Sequence, residues 1–170
     1  MLRLLSAQLG ASGGRVLIDG RDITLWDSRC LRRQLGIVLQ NDRLFQGSIA
    51  ENIAAFDPEA DMDRIRNAAI HAEIWADIEA MPMSLNTLVG DSGMSLSGGQ
   101  QQRILLARTL YRNPRVLFLD EATSHLDIDT ERRILDSLAD AGMTIVSVAH
   151  RPDVLARADR IIELGANADF

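Results

Sequence analysis

Val116-Leu117-Phe118-Leu119-Asp120-Glu121 is the stretch on which the fold turns: an unbroken apolar run that ends in two acids. Continuous rather than alternating hydrophobicity marks a strand covered on both faces, as in a parallel sheet lying between helices. In such sheets ligands collect at the carboxyl ends of the strands, which places Asp120 and Glu121 at a functional rim. Adjacent acids point in different directions and suit different roles. The first suits holding a Mg²⁺ that bridges nucleotide phosphates, and the second suits orienting or deprotonating an attacking water. A strand ending in acids is also what an ordinary solvated strand end looks like, so the flanking sequence has to decide.

Outward from that strand, further apolar β-branched runs alternate with helical stretches, the pattern of an α/β fold with a parallel sheet. Val16-Leu17-Ile18-Asp19, Gly36-Ile37-Val38-Leu39-Gln40 and Thr144-Ile145-Val146-Ser147-Val148 read as strands, with Ile161-Ile162-Glu163-Leu164 as a candidate last one. Between Gln40 and Val116 the period is helical and carries no strand signal. Asp61 can cap a helix presenting Ile65, Ala68, Ala72, Trp75 and Ile78 and ending at Met81-Pro82. A second helix starts at Ser97, carries Ile104, Leu105, Ala107 and Leu110, and stops at Asn113-Pro114. Residues 43–112 are thus expected to form a helical insertion in a core made of 1–42 and 113–170. A helix from about Asp129 to Ala141, ended by Gly142, returns the chain to that core, and Pro152 suits the first turn of a last short helix.

Ser97-Gly98-Gly99-Gln100 combines a hydroxyl at the cap with two residues lacking a β-carbon. Such a helix start offers backbone N–H groups and the positive end of the helix dipole with nothing bulky in the way of a phosphate. An ordinary serine-capped helix after a glycine turn has the same composition. The longer string Leu96-Ser97-Gly98-Gly99-Gln100-Gln101-Gln102-Arg103, lying upstream of the strand that ends in Asp120-Glu121, favours the phosphate reading.

Leu96 to Gln100 resembles the signature motif of ATP-binding-cassette (ABC) ATPases, and Val116 to Glu121 resembles their Walker B strand. Ser124-His125-Leu126-Asp127 is similar to the D-loop, Ser147-Val148-Ala149-His150-Arg151 to the switch-histidine strand end, and Gly36-Ile37-Val38-Leu39-Gln40-Asn41 to the Q-loop. Five motifs in family order cover most of the chain. The resemblance implies a P-loop NTPase (RecA-like) core with an inserted α-helical subdomain, with ATP and Mg²⁺ as cofactors. By it, Gln40 would contact Mg²⁺ and the attacking water, and Asp120 would hold Mg²⁺ through water. Glu121 would be the general base and His150 the sensor of the γ-phosphate. Ser97, Gly98, Gly99 and Gln100 would complete the ATP site of a second nucleotide-binding domain in a head-to-tail dimer, with Asp127 across the same interface.

Leu44-Phe45-Gln46-Gly47-Ser48-Ile49-Ala50-Glu51-Asn52-Ile53 resembles the exporter segment that receives a helix of the transmembrane domain, and Leu88-Val89-Gly90-Asp91-Ser92-Gly93 the exporter cross-linking loop. Met81-Pro82-Met83-Ser84-Leu85-Asn86-Thr87 and His125 are most similar to peptidase-containing bacteriocin and colicin V exporters; a general lipid, drug or protein exporter is the alternative. The resemblance implies a place at the cytoplasmic face of the membrane, through the transporter.

All eighteen basic residues are arginine, against twenty-four acids, for a net charge of −6. With no lysine, the chain supplies no Schiff base and no phosphate-gripping Walker A lysine. The acidic balance disfavours nucleic acid or an anionic membrane surface as partner. A single cysteine, Cys30, fits a reducing compartment and reads as a small hydrophobe. No apolar run reaches the roughly 20 residues of a membrane span.

Met1-Leu2-Arg3-Leu4-Leu5-Ser6 resembles the helix that follows the family's Gly-rich loop, so the cassette is expected to be incomplete, an N-terminally truncated portion of an exporter. Walker A amides and lysine supply most of the phosphate grip, so these 170 residues alone are expected to bind ATP weakly and not to hydrolyse it. They are also expected to leave unpaired sheet backbone and exposed apolar faces. Two alternatives remain: a helper subunit that lends Ser97 to Gln100 to an intact partner, and a soluble ABC protein of translation or DNA repair.

Overall fold

The computed structural model describes residues 2–6, 9–10, 13–39, 41–90, 95–120, 126–148 and 151–163. In chain order, helix α1 (Leu2–Leu5) is followed by strands β1 (Leu17–Ile18) and β2 (Arg21–Asp22), helix α2 (Ser28–Gln34) and strand β3 (Leu35–Val38). Then come β4 (Gly47–Ser48), α3 (Ile49–Ala54), α4 (Met62–His71), α5 (Trp75–Ala80), β5 (Leu88–Val89) and α6 (Gly98–Leu110). The chain continues with β6 (Val116–Asp120), α7 (Ile128–Asp140), β7 (Thr144–Val148) and α8 (Pro152–Leu155).

The central sheet has the order β3-β6-β7, parallel throughout, with Val38 opposite Leu119 and Asp120 opposite Val148. The middle strand is buried on both faces. Leu117 and Leu119 enter the larger core with α6 and α7, while Phe118 joins Leu31 and Leu35 beneath α2. Gly36 makes the α6 side possible. A Cβ there would lie 2.7 Å from Thr109 Cγ2 and 2.8 Å from Pro114 Cγ, closer than side chains pack, so a glycine lets the end of α6 approach the strand.

The larger core is built by the helices between β3 and β6. Ile49, Ile53, Ile65, Ala69, Ala72, Ile74, Ile78 and Ile104 are fully buried there. Asp61 caps α4, its side chain accepting from the N–H groups of Asp63 and Arg64. The single helix expected from Asp61 to Met81 is two helices. Glu73 turns left-handed at φ 55°, Ile74 N–H donates to the Ala69 carbonyl, and α5 restarts in a new direction that keeps Ile74 and Ile78 inside. Burial of those isoleucines outweighs the cost of a left-handed non-glycine residue.

Other expectations are corrected as well. The strand around Val16 to Asp19 is half of an antiparallel hairpin, β1 with β2, outside the parallel sheet. The stretch without strand signal contains the pair β4 and β5, two residues each and too short to give a period. Residues 161–163 form no strand, and Ile161 and Ile162 are exposed. Helix α2, capped by Asp27, was not anticipated, and Cys30 lies exposed on it. Among the described residues no helix is long and apolar enough to cross a membrane.

Candidate functional site

Because β3, β6 and β7 are parallel, their carboxyl ends share one edge of the sheet. Val38 stands beside Leu119 there, and the half-buried Asp120 beside Val148. Gln40, Glu121 and His150 follow these ends within two residues in the sequence, and all three lie outside the described residues. Beyond Val38 the strand is ended by Asp42, whose Oδ2 accepts the Leu39 N–H at 2.9 Å. Among the described residues no cluster of three or more histidines, cysteines or acids forms a closed metal cage. A lone carboxylate at a strand end suits Mg²⁺, which keeps several waters and is shared with phosphate oxygens rather than caged by protein.

The second constellation is at the start of α6. Ser97 Oγ accepts the Gln100 N–H at 3.2 Å while Gln100 Oε1 accepts the Ser97 N–H at 3.0 Å, a reciprocal capping box. The box uses the third amide of the helix and leaves those of Gly98 and Gly99 without an intrahelical partner. Gln100 is turned inward, its Nε2 donating to Asp77 Oδ1 at 2.9 Å, and Arg103 Nη1 pairs with Asp77 Oδ2 at 2.9 Å. Arg103 also donates to the carbonyls of Gly99 and Glu73. Helix α6 is therefore bolted to α5 and to the left-handed turn before it.

Across from this terminus stands the N-terminus of α7. Asp127 caps it, its Oδ1 accepting the Thr130 N–H at 2.9 Å, and that backbone hydrogen bond is the main reason its carboxyl is held below the ordinary value of 3.8. Ser97, Gly98, Gly99, Arg103, Leu126, Asp127 and Thr130 line one open cleft of about 400 Å³. Ser97, Gly98, Gly99 and Asp127 are thus brought together, while Asp120 lies at the separate sheet rim. Gln100 shares the cap but sends its side chain away from the cleft.

A larger cleft of about 720 Å³ runs between α2, the start of β3 and the C-terminal half of α6, lined among others by Arg32, Asp42, Phe45, Arg108 and Arg112. Its wall depends on Asn52, within the exporter-like segment from Leu44 to Ile53, and on Arg108, which no motif includes. Asn52 is fully buried, with Nδ2 donating to the carbonyls of Phe45 and Ser48 and Oδ1 accepting the Phe45 N–H. Arg108 donates Nε to the Asn52 carbonyl at 2.8 Å and Nη2 to Asn52 Oδ1 at 2.6 Å. Its guanidinium carbon lies 4.6 Å from the Phe45 ring centroid, and burial lowers its pKa from the usual arginine value.

A family model described as "ABC transporter" matches residues 1–124. Among similar curated proteins is the cyclolysin secretion/processing ATP-binding protein CyaB of Bordetella pertussis. It is 46% identical over 164 residues, covering 95% of this chain and 23% of that protein. The probable microcin-H47 secretion/processing ATP-binding protein MchF of Escherichia coli is 42% identical, covering 96% and 24%. The ATP-dependent lipid A-core flippase of Paraburkholderia xenovorans is 40% identical, covering 98% and 28%. Among solved structures, a bacterial Atm1-family ABC exporter with ATP bound superposes with a TM-score of 0.84 at 42% identity, covering 93% of this chain and 28% of the exporter. The chain spans about a quarter of the length of these relatives.

Proposed function

We propose, from the premise that this chain belongs to the ABC transporter family, that it is part of the ATP-binding and hydrolysing domain of a bacterial exporter whose cargo is a peptide or protein toxin. The cargo class is supported by relatives named for cyclolysin, an RTX toxin and microcin-H47. The Met81 to Thr87 segment adds to it through its likeness to peptidase-containing bacteriocin exporters. Residues 43–112 form the helical subdomain and residues 1–42 and 113–170 the core.

The carrying observation is the cleft in which the Ser97-capped Gly-Gly terminus faces Asp127. Two free helix amides and the dipole of a thirteen-residue helix make a seat for an anion, and the glycines leave it open. It seats the γ-phosphate end of a nucleotide held by a second domain. At its own rim the chain offers Asp120 toward Mg²⁺. Gln40 orients the water, Glu121 accepts its proton and His150 contacts the γ-phosphate. Mg²⁺, when bound, neutralises charge on the β- and γ-phosphates. The Phe45–Arg108 cleft receives the transmembrane domain, which keeps the chain at the cytoplasmic face of the membrane.

These 170 residues carry no lysine, and the reading includes weak ATP binding by the chain alone. Titration with a fluorescent ATP analogue is expected to show no micromolar affinity; a micromolar constant overturns that part. The trans role is tested by mixing the chain with the intact ATP-binding domain of a toxin exporter. Stimulated ATP hydrolysis that is abolished by Ser97→Arg is expected. No stimulation, or stimulation that survives Ser97→Arg, sinks the reading of the cleft. The same assay decides a second reading, favoured by a cleft that forms without a phosphate-gripping lysine: a helper subunit that lends Ser97 to Gln100 to a complete partner.

A further inference from the structure

Glu131 lies one turn beyond Asp127 on α7, and its side chain is only 4% exposed. A carboxylate removed from water is costly unless a cation and hydrogen bonds replace the water. Its partner comes from another part of the chain. Arg151, at the cap of α8, donates Nη1 to Glu131 Oε2 at 2.9 Å. The same nitrogen reaches the Leu126 carbonyl at 3.0 Å.

The sequence gives these contacts their meaning. Leu126 directly precedes Asp127, and Arg151 directly follows His150. One guanidinium therefore joins the chain leaving the switch strand β7 to the peptide entering the Asp127 cap, and the buried Glu131 fixes where that guanidinium sits. α8 has a separate anchor, since Arg157 pairs with Asp136 on α7 at 2.6 Å and donates to the Arg132 carbonyl. Removing the Glu131 contact thus leaves α8 attached through Arg157 and weakens the hold on the Leu126 side alone.

We propose that Glu131 is a positioning residue: through Arg151 it holds the start of α8 against Leu126, so that α8 and the Asp127 side of the cleft keep one spacing. Its consequence for turnover rests on the function proposed above. The junction itself exists without that function, and the test separates the two.

Amide hydrogen exchange on the full chain needs neither nucleotide nor partner. In Glu131→Gln, exchange at the Thr130 amide is expected to speed about tenfold, while amides of Leu105 to Leu110 in α6 keep their protection. Arg151→Gln alone strands the buried Glu131 carboxylate, whereas Glu131→Gln/Arg151→Gln leaves no buried charge unpaired, so the double variant is expected to lose less protection than the two single losses added together, a non-additive result. An unchanged Thr130 amide, an equal loss of protection across α6, or strict additivity overturns the proposal. If Glu131→Gln fails to fold, a folded double variant supports the pairing, and an unfolded one overturns it.

In the mixing assay, Glu131→Gln is expected to lower stimulated turnover about tenfold at saturating ATP, with the half-saturating ATP concentration nearly unchanged. Stimulated turnover equal to that of the unaltered chain, despite faster exchange at Thr130, overturns the positioning role. Absence of stimulation by the unaltered chain instead counts against the function reading, and the exchange data still decide the junction.

Discussion

The helical insertion and the central sheet solve the same problem, hiding apolar surface, with very different completeness. Between β3 and β6, six isoleucines show no exposure at all, and Asn52 and Arg108 are matched donor to acceptor, with the Thr87 hydroxyl buried there unpaired. Among the described residues of the sheet, β6 alone has a strand on each side. β7, among the described residues, is paired on one side, and Ile145, Val146 and Val148 are half-buried. A region that closes its own core holds a motif at its surface with little slack, whereas a sheet edge keeps its backbone available to a further strand. The Ser97-Gly98-Gly99 terminus sits on the closed region and β7 on the open edge.

Ile104→Ala should give the largest separation. It empties a fully buried site in α6 and is expected to cost about 2–5 kcal/mol in chemical denaturation. Val146→Ala, on half-buried β7, is expected to cost less than half as much. Equal losses would break the comparison. Gly36→Ala comes next, because its Cβ meets Thr109 Cγ2, Pro114 Cγ and Leu117 Cδ1 at 2.7 to 3.0 Å. Overpacking of this kind costs about 1–3 kcal/mol. Gly36→Ala/Thr109→Ser removes one of the clashing methyls while keeping the hydroxyl that bonds the Leu105 carbonyl, and should recover part of the loss. If it recovers none, the joint between the two regions does not depend on this close approach.

The terminus of α6 provides a finer division. Ser97→Ala deletes an N-cap acceptor and should cost about 1 kcal/mol in thermal unfolding. Ser97→Asp keeps a capping acceptor and should hold stability near that of the unaltered chain, while placing a negative charge where the cleft is meant to seat a phosphate. Retained stability with lost stimulation of an intact cassette separates the cap from the anion seat. Retained stimulation would show that the seat is not used.

What was legible in the sequence follows the range of the interactions involved. β6 could be read because burial on both faces leaves a continuous apolar run, and the caps at Asp61 and Ser97 because capping is local. The break at Glu73 was not legible. Nothing local asks a glutamate to turn left-handed; the burial of Ile74 and Ile78 does, and that is decided by α3 and α6. The β4–β5 pair is too short to carry a period. In the site, the motif residues were legible as motifs, and Gly98, Gly99 and Asp127 do meet in one cleft. Asn52, Asp77, Glu131 and Arg151 were not, since each acts through a partner distant in sequence.

The Asp127 cap has an expected pH dependence. Its carboxyl is held below 3.8, first by the Thr130 backbone hydrogen bond, so its contribution is complete above the unfolded value and is lost as the pH falls through the lower folded value. Acidification below about pH 4 should therefore speed exchange at the Thr130 amide before the amides of α6 respond. Asp127→Asn keeps a capping acceptor without the titration and should flatten that response. A Thr130 amide that stays pH-independent in the unaltered chain would remove the charge from the account of the cap.

The smallest effect is expected where the two regions touch through charge. Arg133 on α7 donates Nε to Glu73 Oε2 at 2.8 Å, the contact that chiefly raises its pKa, and His71 Nδ1 lies 2.8 Å from Ser137 Oγ. The arginine side chain is 55% exposed and the glutamate 32%, so water and salt compete for both. A double-mutant cycle with Glu73→Gln and Arg133→Gln is expected to give a coupling close to zero that vanishes at high salt. That outcome means the helical insertion is held to α7 by packing and neutral hydrogen bonds, with the ion pair as a loose outer contact that can be released. A large, salt-resistant coupling would instead make Glu73 a fixed strut and would remove the freedom of the insertion to move against the core.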